Sequence, residues 1–267
     1  MTETDPVPVA EPLFQEILEI MGRTVRSCAG EDRSSPRGWV ARTPSLPDVW
    51  SLNQVRIAGP VSFSEAVAIA DVEQDGLPFR HVVIEDDATG RELEAQFASA
   101  GWDVDREVYM VLGDDPVVAP IKVTEFAQLS EKQGLLLIRV GAVERQPGIS
   151  ASGLDQLVEY ARREGSLWAE ERYGVLDRDG SPLAMTKLRL DGHVAWVEDV
   201  FTVPAARGRG LARALVTHVS ALAQKSDANF VFLAADDNDW PKHLYESIGF
   251  RPVGYTRTFH RRLESSN

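Results

Sequence analysis

Apolar residues recur along the chain with two different spacings, and each spacing predicts a different kind of element. A recurrence every three or four residues favours a helix, whereas alternation or a short apolar run favours a strand. In the first half these patterns predict helices at 13–21, 64–71 and 92–100 and strands at 52–57, 81–84 and 107–112. Residues 30–38 are polar and contain Gly, Pro and Ser, which predicts an exposed loop.

The second half begins a new series of helices and strands after a break at residues 113–121. Two prolines and an acid pair in this break predict a linker. The patterns beyond it predict helices at 154–164, 211–225 and 240–248 and strands at 172–176, 181–190, 193–203, 230–234 and 253–259. We therefore expect an α/β protein of the α+β type with a mixed sheet, divided into domains at 1–122 and 123–267.

Composition and charge then narrow the classes of function. A hydrophobic fraction of 43% with 26% charged residues is typical of a globular protein. The net charge of −13 disfavours nucleic-acid binding, because phosphate contacts need clustered cations. The single cysteine, Cys28, excludes an intrachain disulfide framework, and the five histidines lack ligand-like spacing, so no metal site is expected. No signal peptide or membrane-spanning run is evident, which predicts a cytoplasmic protein that binds no membrane.

The stretch from Glu198 to Arg213 has the pattern of a phosphate-binding loop. A predicted strand passes through Pro204 into a loop with Gly208 and Gly210 and then into a helix. The first N–H groups of a helix are unpaired and carry the positive end of its dipole, which favours a bound phosphate. Three arginines of this otherwise acidic chain cluster in the loop and the first helical turn, so an anionic ligand is indicated.

Two motifs here resemble those of the GNAT acetyltransferases. Arg207-Gly-Arg-Gly210-Leu-Ala212 matches the family's Arg/Gln-x-x-Gly-x-Gly/Ala signature, and Asn238 with Leu244-Tyr245-Glu-Ser-Ile-Gly249-Phe250 matches its Asn … Leu-Tyr-x-x-x-Gly-Phe motif. The resemblance spans roughly residues 123–263. It implies an acetyl-CoA-dependent N-acetyltransferase that moves an acetyl group directly to a primary amine of a small molecule or peptide, as a monomer or homodimer.

The resemblance also implies roles for individual residues. Tyr245 would protonate the departing CoA thiolate, and Glu198 would take the proton of the substrate ammonium, although a merely orienting or structural Glu198 stays open. Residues 200–203 should splay from the neighbouring strand, and Asp199 should face away from Glu198 by strand parity. The residues expected to bind acetyl-CoA are Phe201, Thr202, Val203, Arg207, Gly208, Arg209, Gly210, Leu211, Ala212, Asn238 and Tyr245.

The first half reads as a degenerate copy of the second. Phe97-Ala-Ser-Ala-Gly101-Trp102 follows the spacing of Tyr245-Glu-Ser-Ile-Gly249-Phe250, and the preceding strands align as well. The place of the phosphate loop is taken by Gly59-Pro-Val-Ser-Phe-Ser64, which has no arginine, and Pro60 lacks an N–H to donate. A tandem arrangement follows, with only the C-terminal domain complete and one acetyl-CoA bound per chain.

Two other functions stay open at this point. Gly208-Arg-Gly210 begins a dinucleotide-binding fingerprint, but Arg213 stands where the third glycine belongs. A non-catalytic module that binds acyl-CoA for regulation would share the loop, although such a module needs neither Tyr245 nor Glu198.

Overall fold

The computed structural model describes residues 10–35, 37–114 and 126–263 of the 267-residue chain. The chain forms two compact units that are not continuous in sequence. The first takes residues from 10–109, 235–239 and 253–263, and the second from 110–234 and 240–252. The predicted linker at 113–121 and the predicted boundary at 122/123 lie almost wholly outside the described residues.

Helices and strands follow one another along the chain in groups of one to three. Up to residue 112 they are α1 (Ala10–Cys28), β1 (Glu31–Ser35), β2 (Gly38–Arg42), β3 (Gln54–Ile57), α2 (Phe63–Glu73), β4 (Phe79–Ile84), α3 (Asp87–Ser99) and β5 (Asp103–Leu112). From residue 127 they are β6 (Ala127–Gln128), α4 (Glu131–Arg145), α5 (Ala151–Gly165), β7 (Ala169–Leu176), β8 (Pro182–Leu190), β9 (Val194–Thr202), α6 (Leu211–Ala223), β10 (Phe230–Asp236), α7 (Pro241–Glu246) and β11 (Phe250–Arg262). Within the described ranges no helix is both long and apolar enough to span a bilayer.

The first unit is built on the strand order β1-β2-β3-β4-β11-β5. β1, β2 and β3 are antiparallel neighbours, β4 runs parallel to β3, and β11 runs antiparallel to β4. Phe97 of α3 stacks on Phe259 of β11 with ring centroids 3.9 Å apart, and both rings are fully buried. This unit therefore needs residues from β11, which explains why it differs from the predicted 1–122.

The second unit has the strand order β10-β9-β8-β7-β6. β6 to β9 are antiparallel neighbours, and only β10 runs parallel to β9. The mixed α/β class is thus confirmed, and the antiparallel pairing disfavours the doubly wound parallel sheet of a dinucleotide-binding domain.

Neighbouring residues of β8 pack against different helices. Ala184 lies in a buried cluster with Leu211 and Leu215 of α6, whereas Met185 lies in a cluster with Leu137 of α4. Side chains of adjacent strand residues point to opposite faces, so α6 covers one face of the sheet and α4 the other. Each such buried leucine stabilises the unit by about 1.5–3 kcal/mol.

The two halves of the chain share one succession of elements. β1-β2-β3-α2-β4-α3-β5 in the first half corresponds to β7-β8-β9-α6-β10-α7-β11 in the second half, with the same antiparallel and parallel pairings among the first four strands. A duplication within the chain would give this shared order of elements. That the first half is a degenerate copy of the second stays a prediction.

Four elements, β1, β2, β6 and α4, were not expected from the sequence. Residues 30–38 were expected to form a loop but contribute most of the hairpin of β1 and β2; β1 is exposed along most of its length, so it shows no alternation of apolar and polar residues. Helix α4 was not predicted, because Gly134 and Gly141 interrupt its apolar pattern. A Cβ at Gly141 would lie 3.3 Å from the ring of Phe201, so this glycine allows a close approach of β9.

Candidate active site

Strands β9 and β10 diverge within the second unit. Their parallel pairing joins Val194–Trp196 to Phe230–Phe232 and ends there, although β9 continues to Thr202. The later half of β9 therefore presents backbone groups that β10 does not use. This is the splay that the sequence led us to expect for residues 200–203.

A β-bulge shapes β9 just before the splayed segment. Met185 and Lys187 of β8 are two residues apart, but their partners Phe201 and Glu198 are three apart, so β9 contains one extra residue. Asp199 takes the strain with a φ of 50°, a left-handed conformation unusual for a residue other than glycine.

The bulge corrects the expectation that Asp199 faces away from Glu198. Lys187 and Arg189 are two residues apart on β8 and so point to the same face. Asp199 binds Lys187 with 2.7 Å between Oδ2 and Nζ, and Glu198 forms a short ion pair with Arg189. Both carboxylates therefore reach the same face, because the extra residue breaks the strand parity.

Buried charges behind the bulge hold this pair of acids. Arg189 is fully buried, and its Nε and Nη2 lie 2.8 Å from Glu170 and 2.8 Å from Glu164, respectively. The ammonium of Lys187 lies 3.7 Å from the same oxygen of Glu170. Glu170 thus anchors both cations, and the cations in turn hold the two acids at the bulge.

Glu198 has an unusual acid strength for a glutamate. Burial raises its pKa, the positive charges of Arg189 and Lys187 oppose that rise, and the negative charges of Glu164 and Asp199 add to it, so that the pKa reaches about 8. Its side chain keeps 26% of its surface exposed, so it remains reachable for a substrate or water. For Asp199 the balance is reversed: burial raises its pKa, but the neighbouring ammonium of Lys187 outweighs this and leaves the pKa below its ordinary value.

Gly208 and Gly210 form the turn between β9 and α6. Both have a positive φ, 73° and 76°, and a Cβ added at either would meet no atom within 4 Å. The glycines are therefore needed for their backbone conformation here. Gly210 also precedes the first turn of α6 without any side chain that could cap it, which leaves N–H groups of Leu211 and Ala212 available to an anion.

The three arginines of the loop differ in their surroundings. Arg207 donates to the Thr202 carbonyl over 3.2 Å and to the carboxylate of Glu144 on α4 over 2.6 Å, which ties the loop to α4. Arg213 donates to Ser247 Oγ over 2.6 Å and so ties α6 to the residues after α7. Arg209 is exposed, so its charge faces solvent beside the helix start.

The predicted residues of β9 make different contributions. The ring of Phe201 packs against Gly141, and the Val203 N–H already donates to the Leu183 carbonyl over 2.9 Å, so it is not available to a ligand. Thr202 Oγ1 is buried and has no hydrogen-bond partner among the described residues. The Thr202 carbonyl already accepts from Arg207, so this carbonyl and the Val203 N–H are both occupied within the protein.

The remaining predicted residues lie after β10. Tyr245 of α7 is buried, and its ring meets Phe250 edge-to-face at 6.3 Å. Asn238 belongs to the stretch 235–239 counted with the first unit, and its N–H binds Asp236 Oδ1 at 2.8 Å. The structure thus gathers the predicted residues from Glu198 to Ala212 on one continuous segment and Tyr245 on a helix packed against α6, while Asn238 is grouped elsewhere.

Sequence reasoning missed the charges behind the bulge, which are Glu164, Glu170, Lys187 and Arg189. One signal was present: β8 carries two cations at alternate positions of an otherwise mostly apolar strand. Such cations on a buried strand need acidic partners, because an unpaired buried charge is strongly unfavourable.

Comparisons with known proteins agree with this architecture. Residues 155–250 match the model of the Acetyltransferase (GNAT) family. The chain is 27% identical over 141 residues to a glucosamine 6-phosphate N-acetyltransferase of Trypanosoma brucei brucei, a match that covers 51% of this chain and 92% of that protein.

Solved structures show the same fold. A GCN5-related N-acetyltransferase from Kribbella flavida matches with a TM-score of 0.57 and 17% identity, over 94% of this chain and 95% of that one. A tandem GNAT protein from the clavulanic acid biosynthesis pathway matches with a TM-score of 0.50 and 13% identity, over 88% of this chain and 82% of that one. Residues 155–250 therefore form a domain of the GNAT acetyltransferase family, and together with the curated relative this domain supports an acetyl-CoA-dependent N-acetyltransferase.

Proposed function

We propose that this enzyme transfers an acetyl group from acetyl-CoA directly to a primary amine of a small molecule or peptide, with Glu198 as the base. The observation that carries this proposal is the bulge at Asp199. At this bulge, in the part of β9 that no longer pairs with β10, Glu198 is a partly exposed carboxylate of raised pKa.

Glu198 suits the removal of a proton from an ammonium group. An amine attacks a thioester only as the free base, so a nearby acceptor for its proton speeds the reaction. A general base works best when its pKa lies near the operating pH, and the Glu198 pKa of about 8 meets this condition. Tyr245 acts as the acid that returns a proton to the leaving thiolate, since a phenol and a thiol differ by only about 1.5 pKa units.

The loop before α6 suits a pyrophosphate. The N–H groups of Gly208, Gly210, Leu211 and Ala212 and the side chain of Arg209 can surround an anion there, while Arg207 fixes the loop through Glu144. Backbone groups next to Phe201 and Thr202, on the side of β9 that β10 leaves, suit the amide-bearing arm of acetyl-CoA. This assignment uses Val203 through its side chain, because its N–H donates to Leu183 and its carbonyl accepts from the Ala206 N–H.

The relative from Trypanosoma brucei brucei supports an amine as the acceptor, since its name describes acetylation of an amino-sugar phosphate. The test is an acceptor screen with amino sugars, diamines and peptides, in which thiol release from acetyl-CoA and the mass of the product are followed together. We expect amine-dependent thiol release with an acetylated amine, and full activity in Cys28→Ala. Failure of every acceptor class, or an acetylated protein that accumulates during turnover, would contradict direct transfer.

Arg209→Glu is expected to weaken the stabilisation of the enzyme by acetyl-CoA. A ligand that binds only the folded state stabilises it by about 2.7 kcal/mol at a hundred times its Kd, and an acidic residue beside the pyrophosphate raises the Kd. Thermal melts with increasing acetyl-CoA measure the effect. Arg178→Glu, at an exposed position of the β7–β8 turn, is the matched control and should melt like the parent at every concentration.

One acetyl-CoA per chain is expected, because the corresponding region of the first unit is closed. β3 and β4 stay paired up to Ile57 and Ile84, and the Glu85 N–H adds a 2.9 Å bond to the Ile57 carbonyl. Helix α2 is capped by its own Ser62, whose Oγ accepts from the Glu65 N–H. Titration calorimetry with the full chain measures the ratio, and two molecules bound per chain would contradict this expectation.

A further inference from the structure

The geometry points to Arg189 as a positioning residue that fixes the carboxylate of Glu198 for its role as the base, an inference that rests on the proposed function. Arg189 is fully buried on β8, and its guanidinium divides three nitrogens among three carboxylates. Nη1 contacts Glu198, while Nε and Nη2 bind Glu170 and Glu164.

The guanidinium of Arg189 is itself held on several sides. Glu170 accepts on β7 and Glu164 on α5, and Tyr160 donates to the second oxygen of Glu164 over 3.0 Å. The ring of Trp196 covers the guanidinium at 4.9 Å from its centroid. A planar group fixed in this way keeps its positive charge at one place beside the carboxylate of Glu198, which a flexible ammonium cannot do.

The charges around Glu198 come from every element packed against it. Lys187 and Arg189 of β8 are positive, whereas Glu164 of α5, Glu170 of β7 and Asp199 of β9 are negative. Arg172 contacts Glu170, and Arg145 of α4 acts on Asp199. Glu164 and Glu170 bind the same guanidinium as Glu198 and so compete for the positive charge of Arg189. Glu164 therefore raises the pKa of Glu198 without touching the site.

Arg189→Lys tests the positioning. The variant keeps a positive charge but loses the fork and the stacking on Trp196, so we expect kcat to fall about tenfold to a hundredfold, as for small displacements of a reacting group. The KM for acetyl-CoA should stay close to that of the parent, because the pyrophosphate loop is untouched. A structural role alone would lower the melting temperature and leave kcat per folded enzyme unchanged.

Glu164→Gln tests the same inference in a variant that keeps Arg189. Removing a negative charge that competes for Arg189 lowers the pKa of Glu198, so the acid limb of the kcat profile should move to lower pH by about one unit. Glu159→Gln, at a half-buried position on the same helix that does not contact Arg189, is the matched control and should leave the limb in place.

Glu198→Gln separates this inference from the proposed function. If Glu198→Gln retains turnover, the role of Glu198 as base fails. If Glu198→Gln loses turnover while Arg189→Lys keeps the parental kcat and Glu164→Gln leaves the acid limb unmoved, the positioning role of Arg189 is overturned and the proposed function stands.

Discussion

Glu198→Gln is expected to lower kcat by about 10²- to 10⁴-fold, the range typical for loss of a general base. The parent enzyme should gain activity as the pH rises toward the Glu198 pKa of about 8, because only the carboxylate form accepts a proton. The variant should lose this limb. Steady-state kinetics over a range of pH measures both effects.

Binding and acceptor chemistry provide the controls for Glu198→Gln. The KM for acetyl-CoA should change little, since Glu198 lies before the loop that suits the pyrophosphate. Raising the pH toward the pKa of the acceptor amine should narrow the gap between variant and parent, because more of the amine is then already deprotonated. Turnover close to the parent's at neutral pH would instead identify Glu198 as an orienting or structural carboxylate.

Glu170→Ala is expected to lower the free energy of unfolding by about 3–5 kcal/mol, the usual effect of removing one partner from a buried ion pair. The Glu170 side chain is 2% exposed and contacts Arg172, Lys187 and Arg189. Its loss leaves buried positive charge without compensation and creates a small cavity. Denaturant titration monitored by tryptophan fluorescence measures the change.

Two further variants show whether the loss of stability comes from the charge of Glu170, from its volume or from removing any acid of this unit. Glu170→Gln keeps the volume and hydrogen-bonding capacity but removes the charge, so it should retain part of the lost stability. Glu159→Ala removes an acid from a partly exposed pair with Arg163 on α5, and pairs near the surface contribute little. Equal effects of Glu170→Ala and Glu159→Ala would show that the buried charges do not stabilise this unit.

Strong periodic patterns located the elements of the site well. The strand expected at 193–203 is Val194–Thr202, and the helix expected at 211–225 is Leu211–Ala223. The glycines of the loop mark the turn between them, because their left-handed backbone is rare for other residues. Features that depend on one segment alone were therefore accessible from the sequence.

Features that depend on a partner strand were not accessible. The bulge at Asp199 exists only as a mismatch in residue count between β9 and β8, and no property of β9 alone reveals it. Arg189 and Glu164 are 25 residues apart in sequence but 2.8 Å apart between charged atoms. Their pairing follows from where α5 packs, which a hydrophobic pattern does not specify.

Because the chain is synthesised from its N-terminus, β11 is made after β1 to β10, although the first unit needs β11 to be complete. Phe97 gains its stacking partner Phe259, and β4 its antiparallel neighbour, only when residues 257–262 have left the ribosome. Until then β4 has an open edge that can pair with another chain. Contacts between residues so distant in sequence also slow folding. The half of the chain that is made first is thus the half completed last.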